Sequence, residues 1–303
     1  MIGLARSETQ RLLSRRLLRV LAILALLGIL ISVVIVAAKS RKPSAAQQAS
    51  LDQQIRQEIA DCVSNHYPSA IPPGEPLQSF CARAFSDQTT ENAYGLSGLP
   101  DVLRGTSFIL LVLGLVIGAS AVGADWQSGS MATLLLWEPR RTRVLLVRAL
   151  VIALTIFALA VLLQAALTLL LALVASTRGT TVGTGGDFTR TVVGVVGRVG
   201  VMASIFSLVG VAISTVGRAT AASLGAAFVY LALVESLLHG LIPRLTPWLL
   251  SVNTAVFIDG RTLDVGETHP VYLTPGHATV VVIVYAAILL AVAAGVFRSR
   301  DVS

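Results

Sequence analysis

Glutamate and histidine stand four residues apart in the stretch ESLLH, at Glu235 and His239. On a helix this spacing puts both side chains on one face, where they suit two metal ligands or an acid–base pair. The other histidines, His66, His269 and His277, lie in polar segments far along the chain, so nothing in the sequence completes such a site. We therefore keep three interpretations of Glu235: a member of an intramembrane active site, a side chain that lines a transport pathway, or a hydrated carboxylate near the membrane surface.

ATP chemistry would require a Walker-type loop, in which glycines precede Lys and Ser or Thr so that the lysine reaches the terminal phosphates. The chain contains only two lysines: Lys39 follows Ala38 and Lys42 follows Arg41. Neither fits the motif. We expect no cofactor, no metal and no catalytic residue on this chain, and we expect any ATP and Mg²⁺ to be bound by another chain.

Cys62 and Cys81 are the only cysteines. Apolar residues at every fourth position from Leu51 to Val63 predict one helix that contains Cys62, and an apolar cluster from Leu77 to Phe85 predicts a second that contains Cys81. Because thiols outside a membrane oxidise and stay oxidised, we predict a disulfide between them. Two free thiols, or a metal site with His66, are the alternatives.

Long apolar runs are the elements that carry these residues. The chain is 54% hydrophobic and only 13% charged, whereas a soluble domain has about 25% charged residues. About 20 apolar residues span a bilayer as a helix. The runs predict six transmembrane helices, at Leu17–Ala38, Thr106–Ala124, Val144–Ala175, Val192–Val216, Ala219–Leu238 and Ala278–Phe297. The first run is longer than the apolar core of a signal peptide, so we interpret it as an uncleaved anchor.

Arginine placement predicts the orientation. Twelve arginines lie in 1–19, 140–148, 218 and 298–300, whereas five lie at 178, 190, 198, 244 and 261. Since basic residues accumulate on the cytoplasmic side, both termini should be cytoplasmic. Arg148 falls within the long third run, and we expect the first turns of that run to project into water because an arginine is costly in lipid. The net charge of +7 therefore indicates a lipid bilayer as partner, not nucleic acid.

The predicted fold is an all-α membrane protein of the cytoplasmic membrane. An amphipathic segment, 1–16, would lie at the inner interface as a helix. Residues 17–38 form the first transmembrane helix, residues 39–105 a small helical extracytoplasmic insert, and residues 106–303 the other five transmembrane helices, with a cytoplasmic segment at 125–143.

The stretch GADWQSGSMATLLLWEPRRTRVLLVRAL, which follows the second predicted span, resembles the permease subunits of type-2 ABC exporters, and the actinobacterial branch most closely. In that family an acidic residue and a Ser-Gly-Thr/Ser turn precede an apolar stretch, a proline and basic residues. The matching positions here are Asp125, Ser128, Gly129, Ser130, Pro139, Arg140 and Arg141. The six spans and a re-entrant-looking stretch at 241–260 extend the resemblance along the chain.

The resemblance implies that two permease chains, identical or related, enclose a path across the membrane and that separate ATPase subunits dock beneath them. Segment 125–143 would couple the two. Asp125 or Ser128 could cap a short helix, an apolar face would press into a cleft on the partner, and basic residues would pair with its acidic groups. Besides the motif positions, the coupling set contains Met131, Leu134, Leu135 and Glu138.

Polar but uncharged positions in the spans suggest a pathway for lipophilic or amphiphilic substrates. The candidates are Gln164, Thr168, Ser204, Ser207 and Tyr230, together with Glu235. We therefore expect the membrane subunit of an ATP-driven exporter without enzyme activity of its own. A non-transporting membrane sensor or scaffold, with the insert as its interaction module, and an intramembrane enzyme are the alternatives.

Overall fold

The computed structural model describes residues 2–42, 44–65, 76–85, 94–130, 141–181, 184, 187–266 and 270–299. The chain forms two compact units. Unit 1 contains Met1–Ile23, Thr106–Val161 and Gly197–Ser303, and unit 2 contains Leu24–Gly105 and Leu162–Val196.

Six of the described helices are long and apolar enough to cross a membrane, which confirms the all-α membrane fold predicted from the sequence. In chain order they are α2 (Arg16–Lys39), α5 (Leu99–Gln127), α6 (Arg141–Arg178), α7 (Phe188–Gly217), α8 (Thr220–Leu241) and α10 (Pro275–Ser299). The shorter helices are α1 (Ile2–Ser14), α3 (Ala45–Asn65), α4 (Leu77–Ala84) and α9 (Leu250–Asp259).

Close packing of α5 against α7 forms the centre of unit 1. Gly114 and Gly118 of α5 lie so near the carbonyl groups of Ala203 and Ser207 that a Cβ atom at either glycine would overlap them. Gly210 of α7 makes the same kind of approach to the carbonyl of Leu115. Small residues let two helix backbones approach closely, so the spacing of these glycines specifies where the two helices touch.

Helix α8 is not regular along its length. Its first part, Thr220–Val229, is α-helical, the turn Tyr230–Val234 is π-helical, and Glu235–Leu241 is α-helical again. A 3₁₀ segment, Pro243–Trp248, then leads into α9. The stretch that looked re-entrant in the sequence is therefore a 3₁₀ segment followed by a ten-residue helix.

A short hairpin follows α9. Strands β1 (Leu263–Asp264) and β2 (Tyr272–Leu273) pair antiparallel, with Leu263 opposite Leu273. Helix α9, the hairpin and the first turn of α10 share a small apolar core made by Val256, Leu273 and Ala278. This core fixes α9 against the start of α10.

In unit 2, helices α3 and α4 are joined by the disulfide Cys62–Cys81, with 5.8 Å between the Cα atoms, which confirms the predicted pairing. Leu51 and Ile55 on the predicted apolar stripe of α3 are buried.

Hydrogen bonds connect the helix ends of unit 2. The Ser40 hydroxyl, just after α2, donates to the carbonyl of Arg178 (2.8 Å) and accepts from the backbone N–H of Tyr94 (3.0 Å). The backbone N–H of Thr180 donates in turn to the Tyr94 carbonyl, at 2.9 Å. Burial raises the pKa of Tyr94 to about 12, so this side chain is neutral at physiological pH.

Candidate functional site

Four charged side chains meet where α1, the end of α5 and the start of α6 come together in unit 1. Arg15, in the link between α1 and α2, donates to Asp125 of α5, with 2.6 Å between Nη2 and Oδ1. Arg148 of α6 donates to the other carboxylate oxygen of Asp125. Its Nε atom lies 3.7 Å from Oε2 of Glu8 on α1. Asp125 thus accepts from two guanidinium groups that are far apart in the sequence.

Burial makes this network energetically important. Glu8, Asp125 and Arg148 are 5%, 7% and 3% exposed, and Arg15 is half-buried. A buried charge is costly unless an opposite charge and hydrogen bonds compensate it. The carboxylates of Asp125 and Glu8 neutralise Arg148 inside the protein, and the expectation that the first turns of the third run project into water stays a prediction. We call Glu8, Arg15, Asp125 and Arg148 the charge network.

Backbone carbonyls of α5 accept further hydrogen bonds from the two arginines. Arg15 Nη1 donates to the carbonyl of Ser120 at 3.1 Å, and Arg148 Nη2 donates to that of Ala121 at 2.7 Å. Both guanidinium groups therefore lie near the C-terminal end of α5, where the helix dipole favours positive charge. Asp125 lies at the same unfavourable end for an anion, and the two arginines offset that cost.

The turn after α5 has the conformation that its sequence predicts. Gly129 has a φ of 70°, in the left-handed region where glycine ends helices without strain. Ser128 and Ser130 both donate from their hydroxyls to the carbonyl of Asp125, at 3.4 Å. Asp125 lies inside α5, and the Ser128 hydroxyl donates back to its carbonyl. Because residues 131–140 lie outside the described residues, the suggestion that Asp125 or Ser128 caps a following helix stays a prediction.

The rest of the predicted coupling set is placed only in part. Arg141 is the first residue of α6. The others lie outside the described residues and stay predictions from the sequence: Met131, Leu134, Leu135, Glu138, Pro139 and Arg140.

Aromatic contacts bring three further helix ends to this end of unit 1. Trp126, next to Asp125, packs edge-to-face on Phe297 near the end of α10, with 5.9 Å between ring centroids. The guanidinium of Arg218, between α7 and α8, lies 4.8 Å from the centroid of the Trp126 ring. The ends of α5, α7 and α10 and the start of α8 therefore lie together, as the predicted alternation of spans requires.

A protein-family comparison decides the class. A family model described as ABC-2 family transporter protein matches residues 4–302.

The chain belongs to the ABC-2 transporter family.

It is therefore the membrane subunit of an ABC transporter, a multi-pass transport protein. No curated protein sequence matches the chain. The family match does not distinguish the actinobacterial branch from others, so that part stays a prediction.

The predicted pathway residues of this ABC-2 permease fall in both units. In unit 2, Gln164 is 1% exposed and donates to the carbonyl of Leu103 at 3.2 Å, and Thr168 donates to the Gln164 carbonyl at 2.8 Å. In unit 1, Ser204 donates to the carbonyls of Ala153 and Gly200. Ser207, which is fully buried, donates to the carbonyl of Ser204. These side chains all bond to helix backbones, and their pathway role stays a prediction.

Glu235 does not match the picture of a hydrated carboxylate. It is 3% exposed, and its two oxygens accept the backbone N–H groups of Leu250 (2.7 Å) and Ser251 (3.0 Å) at the start of α9. His239 instead bonds Thr246, with 3.1 Å between Nδ1 and Oγ1, so the two residues of ESLLH have separate partners. Among the described residues no group of three or more His, Cys, Asp or Glu side chains could hold a metal ion.

Sequence reasoning missed Glu8 and Arg198. Glu8 is the only acid in the otherwise basic segment 1–16, which was the available signal. Arg198 lies within the predicted span Val192–Val216, where the sequence indicates only its side of the membrane. Its guanidinium donates to the carbonyls of Ile258 and Asp259.

Proposed function

We propose that this permease is the transport subunit of an ATP-driven exporter and that segment 125–143 couples it to a separate ATPase. The charge network carries the proposal. It joins the N-terminal helix α1 to the end of α5 and the start of α6, and α5 and α6 are the helices on either side of that segment. A movement of the segment would therefore be transmitted to three helices that are joined to one another.

Energy must come from a partner because the chain has no Walker-type lysine. Lys39 and Lys42 are its only lysines, and neither follows a glycine-rich turn. We place ATP and Mg²⁺ on the ATPase and no cofactor on this chain. ATP-driven closure of two ATPase subunits would bias the permease from an inward-facing to an outward-facing state.

We further propose a pair of permease chains, identical or related, in the cytoplasmic membrane. The arginine distribution supports cytoplasmic termini and an extracytoplasmic position for 39–105. Large apolar side chains on α2 and α8 are exposed, for example Leu24, Phe228 and Leu241, which suits contact with lipid or a second permease. The substrate would be lipophilic or amphiphilic, because the candidate pathway side chains other than Glu235 are uncharged.

The test uses the tagged full chain, purified from its native membranes in mild detergent. We expect an ATPase to co-purify and its ATP turnover to change when the permease is present. Gly129→Pro should abolish that change, because proline cannot adopt the left-handed φ of this turn. The matched control is Gly129→Asn, since asparagine tolerates the left-handed region.

A second variant reverses a charge within segment 125–143 of this chain. We expect Glu138→Arg to uncouple ATP turnover while the amount of chain in the membrane stays normal. Recovery of the chain without any ATPase would contradict the exporter proposal and favour a sensor or scaffold. If the Gly129→Pro and Glu138→Arg permeases both change ATP turnover as the wild type does, the segment does not have the coupling role.

A further inference from the structure

Glu235 holds the start of helix α9. Each carboxylate oxygen accepts one backbone N–H, that of Leu250 at 2.7 Å and that of Ser251 at 3.0 Å. The first N–H groups of a helix have no partner within the helix, and they carry the positive end of its dipole. The carboxylate satisfies two of these donors with charge of the favourable sign, and it comes from a different helix, α8.

Arg198 of α7 holds the other end. Its guanidinium donates to the carbonyls of Ile258 (3.1 Å) and Asp259 (3.2 Å), which are the last carbonyls of α9 and carry the negative end of the dipole. Gly260 follows with a φ of 73°, and a Cβ atom there would overlap the Arg198 guanidinium. Glycine is therefore what allows the arginine to reach the helix end.

The two contacts make α9 a docked element with charge of the appropriate sign at each end. Glu235 is buried, and the two N–H groups compensate its carboxylate for lost hydration. Moving α9 away would leave a buried anion without those donors. Such a contact favours either full docking or full release over intermediate positions.

The π-helical turn of α8 places Glu235 where it can reach α9. The N–H of Glu235 donates to the carbonyl of Tyr230, five residues earlier, which defines the wide turn. In a regular α-helix, residues five apart point about 140° apart, at 3.6 residues per turn. Here both side chains reach the same layer: the Tyr230 hydroxyl bonds that of Tyr285 at 3.3 Å, and Tyr285 donates to the carbonyl of Trp248 at 3.2 Å.

A change of this turn to regular α-helix would cost little packing, because Ala232, Leu233 and Val234 are exposed. It would rotate Glu235 by about 100°, the angle of one residue in an α-helix. The carboxylate would then leave the N–H groups of Leu250 and Ser251. π-Helical turns within α-helices occur frequently at functional sites, which agrees with a turn that changes register.

We propose that Glu235 and Arg198 form a latch that holds α9 in its docked position. The π-helical turn Tyr230–Val234 supplies the register change that releases α9. Glu235 and Arg198 are positioning residues, acting through α9. That release accompanies substrate passage rests on the proposed exporter function. The latch itself is a property of this chain alone, so the two ideas can fail separately.

Hydrogen–deuterium exchange on the full chain in lipid nanodiscs, without ATPase or substrate, tests the latch. Glu235→Gln keeps the shape of the side chain and removes its charge. Since charge-assisted hydrogen bonds are lost, exchange of the amides at 250–254 should rise about tenfold or more. Arg198→Gln should raise exchange at the other end of α9. Glu58→Gln, at a partly exposed position on α3, is the control and should change neither.

Deletion of Ala232 tests the π-helical turn. Removing one residue converts the wide turn to a regular one while the flanking residues keep their directions, so Glu235 stays docked and loses its means of release. Exchange at 250–254 should fall below the wild-type rate, with exchange in α10 unchanged as evidence of folding. A residue that merely stabilised the fold would give no such fall.

Unchanged exchange in Glu235→Gln and Arg198→Gln would overturn the latch. Wild-type or faster exchange in a folded Ala232 deletion would overturn the role of the π-helical turn. Should that deletion not fold, Tyr230→Phe decides the same point. Loss of its hydroxyl, which ties the turn to Tyr285, should raise exchange at 250–254 several-fold, and an unchanged rate would contradict the proposal.

Discussion

Asp125 occupies the last turn of α5, where an unpaired carboxylate would face the negative end of the helix dipole. Arg15 and Arg148 reverse that situation by placing two guanidinium groups on its two oxygens. The pairings span 110 and 23 positions of sequence. A single carboxylate thus keeps the N-terminal segment and the start of α6 attached to one helix end.

Replacing Asp125 by Asn should strongly destabilise unit 1. The substitution leaves two cations facing one another with only Glu8 to compensate them, and breaking a buried ion pair from one side costs about 3–5 kcal/mol. We expect a lower midpoint of thermal unfolding in detergent and faster proteolysis of α1.

The matched control is Asp52→Asn, because Asp52 pairs with Arg56 on an exposed face of α3, where the arginine side chain is 76% exposed. Exposed pairs contribute about 1 kcal/mol or less. Equal losses of stability in the two variants would contradict the importance assigned to the charge network.

Individual residues of the site could be named from the sequence only where a local pattern marked them. The Ser-Gly-Ser turn after α5 was predictable because glycine at a helix end has a local cause. The partners of Asp125 were not, since Arg15 and Arg148 were assigned by side of the membrane and a long-range ion pair leaves no periodic signal. Glu235 was singled out because a carboxylate in an apolar run is rare, but its partners are backbone N–H groups, which no sequence pattern reveals.

At the level of helices, the close contact between α5 and α7 requires glycine, which has no Cβ atom, at the contact positions. Gly118→Ala should destabilise the pair by about 1–3 kcal/mol, because the added methyl meets the carbonyl of Ser207 and forces the helices apart. Gly197→Ala, on α7, has open space around the added Cβ and should be neutral or slightly stabilising. Thermal unfolding of both variants in the same detergent measures the difference, and a neutral Gly118→Ala would contradict the close contact.

The disulfide should act locally, on α3 and α4. Reducing Cys62–Cys81, which closes a separation of 19 residues, should cost about 3 kcal/mol in the chain-entropy model. We expect hydrogen exchange at 45–64 and 77–84 to accelerate with reductant while exchange in α7 stays the same. Exchange in α3 that does not respond to reductant would show that the two helices hold together without the covalent link.

The long membrane-crossing helices could be predicted from the sequence, whereas the short elements between and within them could not. The six membrane-crossing helices followed from the length and composition of apolar runs, because lipid requires long apolar helices. The 3₁₀ segment, α9 and the π-helical turn carry no such requirement. They depend on contacts with Glu235, Arg198 and Tyr285, and such contacts exist only after the long helices have packed.

For the whole molecule, we propose that energy from a separate ATPase enters through the segment between α5 and α6. The proposal can be tested with a photo-crosslinking amino acid at Leu134 in living cells of the native host. The control position is Leu24 on α2, whose side chain is 57% exposed and apolar. We predict that the crosslinker at Leu134 forms an adduct with a protein that carries a Walker-type ATP site, and that depletion of ATP changes the yield of this adduct. The crosslinker at Leu24 should form no adduct with that protein. If Leu134 forms adducts with lipid alone in a chain that is inserted normally, the segment is not the contact with the ATPase.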